Sequence, residues 1–291
     1  MTRTYNYYTI DVFTQQIFGG NPLAVFPDAQ GLTTSQMQQI AREFNLSETV
    51  FVLPPDNPIH TQRLRIFTPS AELPFAGHPT LGTAYLLSRI KPTSSLVFAE
   101  GVGTIRVKIE PETGYTELTS TTTPEYYETL PDPKDIAQIL NINPEDILDL
   151  AAVSCGLPFL FIHLTNLEVI GKVKLNLPLW EQILSSYWSP HLYLFTRETV
   201  AKEADIHARM FAPALGIRED PATGSGATAL AAYLVKDNLH PSCTLEWIIE
   251  QGLEMGRPSL LKASADYQDS QLYSIRVGGH SVLVSEGRIF L

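Results

Sequence analysis

The stretch RMFAPALGIREDPATGSGATALAAYLV, residues 209–235, has a companion in RIFTPSAELPFAGHPTLGTAYLL, residues 65–87. Both run Arg, an apolar residue, Phe, one further residue and Pro. Both then continue through a short polar loop and a glycine turn into a nearly all-apolar run ending in Tyr-Leu. Two more pairs keep the same order. GGNPLAVF (19–26) is echoed by SCGLPFLFI (154–162), and AEGVGTIRV (99–107) faintly by EQGLEMGRPSLL (250–261). The long pair itself holds two matches, RIFTP with RMFAP and GHPTLGTAYL with GSGATALAAYL, and while one match is chance, four in order predict a duplicated domain and hence a pseudo-symmetric pair.

The two apolar runs set the expected architecture. Residues 80–87 and 227–234 carry almost no charge on any face. A helix apolar all round is buried on all sides. In a strand-rich chain this predicts a helix threaded through a curled sheet, against the alternative of a helix sandwiched between sheet and neighbour. YNYYTIDVF, PLAVF, TVFVLPP and TQRLRIF read as strands, and SSLVFAEGVGTIRVKIEP as two strands about a Gly-Val-Gly turn. LTTSQMQQIAREFN reads as a helix with Thr33 or Thr34 as N-cap. Residues 111–135, rich in Thr, Pro and acid, read as a late strand running into a linker. Beyond it PKDIAQILN, PEDILDL and LPLWEQILSSY read as helices. LDLAAVSCG, PFLFIHL, LEVIGKVKL, HLYLFT and HARMF read as strands. GSGATALAAYLVKDN reads as the second buried helix, and LEWIIEQG, SLLKASADYQ, LYSIRVGG and HSVLVSEGRIFL as a closing set of strands. The expected division is 1–125 and 126–291.

A length of 291 residues, 44% hydrophobic and 18% charged, fits two folded domains. The net charge of −11 with no Lys/Arg cluster argues against nucleic acid or anionic membrane as a partner. Cys155 and Cys243 lack CxxC spacing, so neither a disulfide framework nor a metal site is expected. The opening MTRTYNYYTIDVF lacks a leader pattern, and no run reaches the roughly 18 apolar residues of a membrane helix. A cytoplasmic enzyme is expected.

Chemistry concentrates at the glycine turns. Gly77-His78-Pro79 and Gly224-Ser225-Gly226 each open an apolar helix, whose first N–H groups and positive dipole end form an anion site without a basic side chain. A small carboxylate-bearing substrate is the expected partner. There is no GxGxxG in the right context, no P-loop, and Thr223 stands where a nucleophile elbow needs glycine. The ionisable candidates are Glu48, Glu72, His78, Glu219 and Asp220. By residue type alone Glu48 is also a solvated strand-end acid, Asp220 a loop carboxylate, and Ser225-His78-Asp220 a triad.

DVFTQQIFGGNPLAVF, NLSETVFV, RIFTPSAELPFAGHPTLGTAYLL, REDPATGSGATALAAYL and EQGLEMGRPS resemble the signatures of the PhzF-like phenazine-biosynthesis isomerases, over nearly the whole chain. The resemblance implies an α+β, diaminopimelate-epimerase-like fold: two similar lobes, each a curled sheet or barrel around a central apolar helix, with the site between them. It implies that the final strand returns to the first lobe, and that homodimers form. The family's catalytic glutamate falls on Glu48 and its supporting His and Asp on His78 and Asp220. Substrate contacts fall on Ser47, Gly77, Gly224, Ser225 and Gly226. It also implies an isomerase without cofactor or metal, which moves a proton on a substrate like trans-2,3-dihydro-3-hydroxyanthranilate. The related two-cysteine epimerases and racemases carry thiols at the glycine turns, and this chain has none there. A non-catalytic binding protein on the same fold, and an epimerase or hydratase of another small acid, are the competing expectations.

Overall fold

The computed structural model describes residues 3–120, 122–235, 242–268 and 271–291. It divides into two compact units, residues 1–119 with 278–291, and residues 120–277.

The first unit contains β1 (Thr4–Val12), β2 (Asn21–Phe26), α1 (Thr34–Phe44), β3 (Glu48–Leu53), β4 (Gln62–Phe67), β5 (Glu72–Leu73), α2 (Gly77–Ile90), β6 (Ser95–Glu100), β7 (Gly103–Glu110) and β8 (Tyr115–Ser120). Its strands close on themselves. β1 pairs antiparallel with β2, β2 parallel with β3, β3 antiparallel with β4 and β4 parallel with β6. β6, β7 and β8 form an antiparallel run. The last strand of the chain, β17 (Gln271–Phe290), pairs with both β8 and β1 and completes the ring. β5 is a two-residue flap on β4.

α2 occupies the interior of this ring, packed against β1, β2, β3 and β7. Every residue from His78 to Leu86 is buried, which is why the run shows no polar face. Gly82 lets the helix approach the wall. A Cβ there would lie 2.6 Å from Val12 Cγ2 and 2.7 Å from Leu23 Cδ2. α1 covers the outside of the same strands. Its Met37, Ile40 and Ala41 pack with Phe26, Phe51 and Phe67, the first two rings stacked at 5.1 Å. Strands covered on both faces read as continuous apolar runs rather than alternating ones, and all six residues of β3 are buried. α1 begins at a capping box on Thr33 and ends at Asn45 in the left-handed conformation, which turns the chain directly into β3.

The second unit contains β9 (Glu125–Tyr127), α3 (Pro133–Leu140), β10 (Ile147–Ser154), β11 (Pro158–Leu164), α4 (Leu167–Lys172), α5 (Leu177–Leu184), β12 (His191–Thr196), β13 (Ile206–Ala212), β14 (Ile217–Asp220), α6 (Gly224–Val235), β15 (Ser242–Gln251) and β16 (Ser259–Gln268). The pairings repeat those of the first unit. β10 to β11 is antiparallel, β11 to β12 parallel, β12 to β13 antiparallel, β13 to β15 parallel and β15 to β16 antiparallel, with β14 as the flap on β13. α6 packs against β10, β11, β15 and β16. α3, α4 and α5 cover the outer face through Ile136, Ile139, Ile170, Trp180 and Leu184. All four sequence matches fall on equivalent elements of the two units.

The repeat extends to side chains. Arg65 makes a bidentate pair with Glu72 and lies 5.2 Å from the Phe67 ring centroid. Arg209 does the same with Glu219 and stands 5.0 Å from the Phe211 centroid. Each pair ties a flap strand to its neighbour.

Four local expectations are corrected. LEVIGKVKL is not a strand but contains α4. Asn166 caps its start by accepting from Val169 N–H, and the Arg209 guanidinium donates to the carbonyls of Ile170 and Val173 at its end. PEDILDL is a single 3-10 turn, Pro144–Asp146, followed directly by β10. Part of the supposed linker, Glu125–Tyr127, is a strand on β10. LYSIRVGG and HSVLVSEGRIFL form one strand, β17. Gly278 does not turn the chain. It admits Tyr115, whose hydroxyl would lie 2.5 Å from a Cβ placed there. The expected end of the second buried helix, residues 236–238, lies outside the described residues.

Candidate active site

In the first unit the polar groups gather where β3 begins and α2 begins. Glu48 is the first residue of β3 and only 7% exposed, although every other residue of that strand is uncharged. Burying a carboxylate costs several kcal/mol unless it is partnered. Groups kept in that state at a strand end are candidates for function. His78, the second residue of α2, is equally buried, and its Nε2 lies 3.1 Å from Glu48 Oε2. That is ion-pair distance without the alignment of a hydrogen bond. Burial pulls the His78 pKa down to about 3, so the imidazole is neutral at physiological pH. Ala76, the residue before the helix, offers no capping side chain. Ser47 and Gly77 flank the pair and are half-buried.

In the second unit Asp220 ends β14 and is 9% exposed. Its carboxylate accepts from the Thr223 hydroxyl at 2.5 Å, and its carbonyl from Gln251 Nε2 at 2.8 Å. Gln251 also donates to Thr223 Oγ1 and accepts from Thr223 N–H and the Tyr193 hydroxyl. Burial and the Asp220 charge push the Tyr193 phenol well above its ordinary range, so it remains a donor. α6 starts immediately after this clamp. Gly224 and Gly226 are buried and Ser225 is half-buried. Gly226 is required by Tyr193, whose ring carbons would lie 2.5 and 2.6 Å from an added Cβ.

The structure therefore joins Glu48 to His78 at one helix start and places Asp220 not in a loop but at the end of β14, the flap strand that leads to the other. Glu72 and Glu219 are spent on Arg65 and Arg209. Cys155 is half-buried on neither helix, and burial pushes its thiol up to about 12, far from thiolate chemistry.

Two further groups escaped the sequence reading. Gln251 is the last residue of β15, and nothing in the sequence distinguishes it from the rest of the strand. Glu100 closes β6, where Leu96, Phe98 and Glu100 are the buried residues of an alternating pattern. That alternation was legible and points the acid inward. Burial raises its carboxyl to about 8, and the Thr80 hydroxyl does not offset this.

A third cluster is sealed. His207 Nδ1 meets Glu250 at 2.7 Å and Nε2 meets Glu254 at 2.9 Å. Both ring nitrogens are thus spent on carboxylates. Among the described residues no three His, Cys, Asp or Glu side chains are grouped to hold a metal ion. No helix among them is long and apolar enough to cross a membrane.

The sequence profile of the family described as phenazine biosynthesis-like protein, PhzC-PhzF, matches residues 10–287. The chain belongs to this family. It is 42% identical to an uncharacterized isomerase of Mesorhizobium japonicum, over 99% of this chain and all of the relative. It is 35% identical to the trans-2,3-dihydro-3-hydroxyanthranilate isomerase of Pseudomonas chlororaphis, again over 99% of this chain and all of that one. Among solved structures, a PhzF-family protein of Bacillus anthracis superposes with a TM-score of 0.90 at 25% identity, covering 99% of this chain and all of its own. The fold is the α+β, diaminopimelate-epimerase-like one, with two similar halves each curled about a buried helix. In this PhzF-family chain the helix starts carry His78 and Ser225, and neither carries a thiol.

Proposed function

We propose that the protein is an isomerase that moves a proton on a small cyclic carboxylate of the trans-2,3-dihydro-3-hydroxyanthranilate type, with Glu48 carrying the proton. The supporting observation is the Glu48–His78 pair, a buried carboxylate 3.1 Å from an imidazole that burial holds neutral. Of the two, Glu48 is the proton carrier. An imidazole whose conjugate acid has a pKa near 3 gives up its proton at once at neutral pH.

In the forward step Glu48 takes a proton from a ring C–H next to the unsaturated system. The electron pair left behind spreads into that system. The protonated Glu48 then delivers the same proton to another ring carbon, and the double bonds shift to match. No atom or electron is gained or lost. His78 holds the Glu48 carboxyl in place and takes a hydrogen bond from the substrate without competing for the proton. Asp220, fixed by Thr223 and Gln251, takes an amino or hydroxyl group. Ser47, Ser225 and the backbone N–H groups at Gly77, Gly224 and Gly226 serve the carboxylate. Positioned acid–base catalysis contributes about 10²–10⁴-fold, and orientation supplies the rest.

The test is conversion of trans-2,3-dihydro-3-hydroxyanthranilate in D₂O, followed by NMR and mass spectrometry, with Glu48→Gln as the comparison. The variant is expected to bind the substrate and to lose turnover by at least about a hundredfold. Undiminished turnover would remove Glu48 from the mechanism. Lack of any conversion by the wild type would overturn this reading.

A further inference from the structure

The duplication places a second polar group where the first unit has Glu48. Glu48 opens β3 opposite Leu23 of the parallel strand β2, and the next residue, Thr49, faces Phe67 of β4. In the second unit Phe159 of β11 faces His191, which opens β12, and the next residue, Leu192, faces Phe211 of β13. Phe67 and Phe211 are the partners of Arg65 and Arg209, so the two registers are equivalent and His191 stands at the Glu48 position. The flap strands are exchanged in the opposite sense. Leu73 faces Ile66 where Asp220 faces Met210.

His191 is 4% exposed, and its Nδ1 is buried without a hydrogen-bond partner among the described residues. A buried polar atom left unpaired costs about 1–3 kcal/mol, and such an atom calls for an explanation. Residues two apart on a strand share a face. Tyr193, two positions on, lies against Gly226 in the first turn of α6, and the Phe159 ring touches both His191 and Tyr193 at 6.1 Å. His191 therefore shares that face, one step nearer the strand entry. The entry is fixed by the Trp180 indole N–H, which donates to the Pro190 carbonyl at 2.9 Å. Burial keeps the imidazole neutral.

We propose that His191 is a substrate-binding residue, whose Nδ1 forms a hydrogen bond with a hydroxyl or amino group of the substrate, and that it is the second unit's counterpart of Glu48. A neutral ring suits an uncharged polar group better than a carboxylate. The inference rests on the isomerase reading above, and its test separates the two. Steady-state kinetics with trans-2,3-dihydro-3-hydroxyanthranilate compare the wild type with His191→Leu and His191→Asn. Asn keeps a polar atom near the Nδ1 position. In parallel, the ¹⁵N resonance of His191 Nδ1 is followed as the same compound is added to the Glu48→Gln protein, which does not consume it.

Leu is expected to raise KM about tenfold with a smaller change in kcat, Asn to recover most of the loss, and the Nδ1 resonance to move on binding. If Leu folds and keeps KM and kcat within about twofold, or if bound ligand leaves the resonance unmoved, the proposal is overturned while the isomerase reading stands. If Leu does not fold, the Asn variant and the resonance decide. If the wild type neither binds nor converts the compound, both readings fall.

Discussion

Replacing Glu100 by Gln tests whether this protein stores a neutral carboxylic acid beside its central helix. Thr80 Oγ1 lies 2.7 Å from Glu100 Oε1 and 2.8 Å from the Ala76 carbonyl. A hydroxyl has one proton and cannot donate to both. A protonated Glu100 resolves this by donating to Thr80, which then donates to Ala76. The carboxyl is raised from 4.5 to about 8 by burial. Between those values the folded protein holds a proton that the unfolded chain has released, so stability falls as pH rises through the window. Each pH unit of difference is worth 1.36 kcal/mol, which brings the full loss to about 4–5 kcal/mol once the pH is above 8. Gln mimics the protonated acid and cannot ionise. Urea denaturation of both proteins from pH 5 to 9 is the assay. At pH 5 the two are expected to agree within about 1 kcal/mol, and at pH 9 the variant to be the more stable by about 4–5 kcal/mol. A difference that stays constant across the range would show that Glu100 is already ionised, and the neutral-acid argument would fail.

Two other perturbations follow from the packing. Gly226→Ala puts a methyl group 2.5 Å from the Tyr193 ring, so thermal denaturation is expected to show a loss of about 1–3 kcal/mol, with weakened substrate binding because the helix start shifts. His207→Gln leaves Glu250 and Glu254 without their buried cation. Burial alone would lower the His207 pKa, but the hydrogen bonds to the two glutamates outweigh it and hold it at about 9. The extra proton stabilises the wild type fully below about 6.5, and that benefit is lost as pH rises through 9. The variant is therefore expected to be about 3–5 kcal/mol less stable at pH 6, with the gap narrowing by pH 10 in the same denaturation series.

The parts of the fold that were legible in the sequence are those governed by burial. Both central helices declared themselves because a helix enclosed by strands has no polar face to show. The Arg-x-Phe repeats and the glycine turns declared the duplication because the same contacts demand the same residues twice. What failed depended on distant partners. α4 owes its C-terminal end to Arg209, some forty residues on, and LEVIGKVKL shows no helical signal of its own beyond Asn166. Gly278-Gly279 reads as a turn until Tyr115 is placed against it. Among the site residues, Glu48 and His78 stood out beside motifs. Gln251 and His191 are polar residues at strand ends with no motif beside them, and only the strand register shows where each belongs, whereas the alternation of β6 already points Glu100 inward.

The long final strand has a consequence for how this chain is made. The first unit's ring opens at β1, residues 4–12, and cannot close until β17, residues 271–290, lies beside it. At about 5–20 residues per second, the ribosome takes on the order of ten seconds or more to synthesise the intervening second unit. Through that interval β1 and β8 are edges without partners, and such edges are where chains pair wrongly. The order of synthesis thus makes the first-built unit the last to be finished.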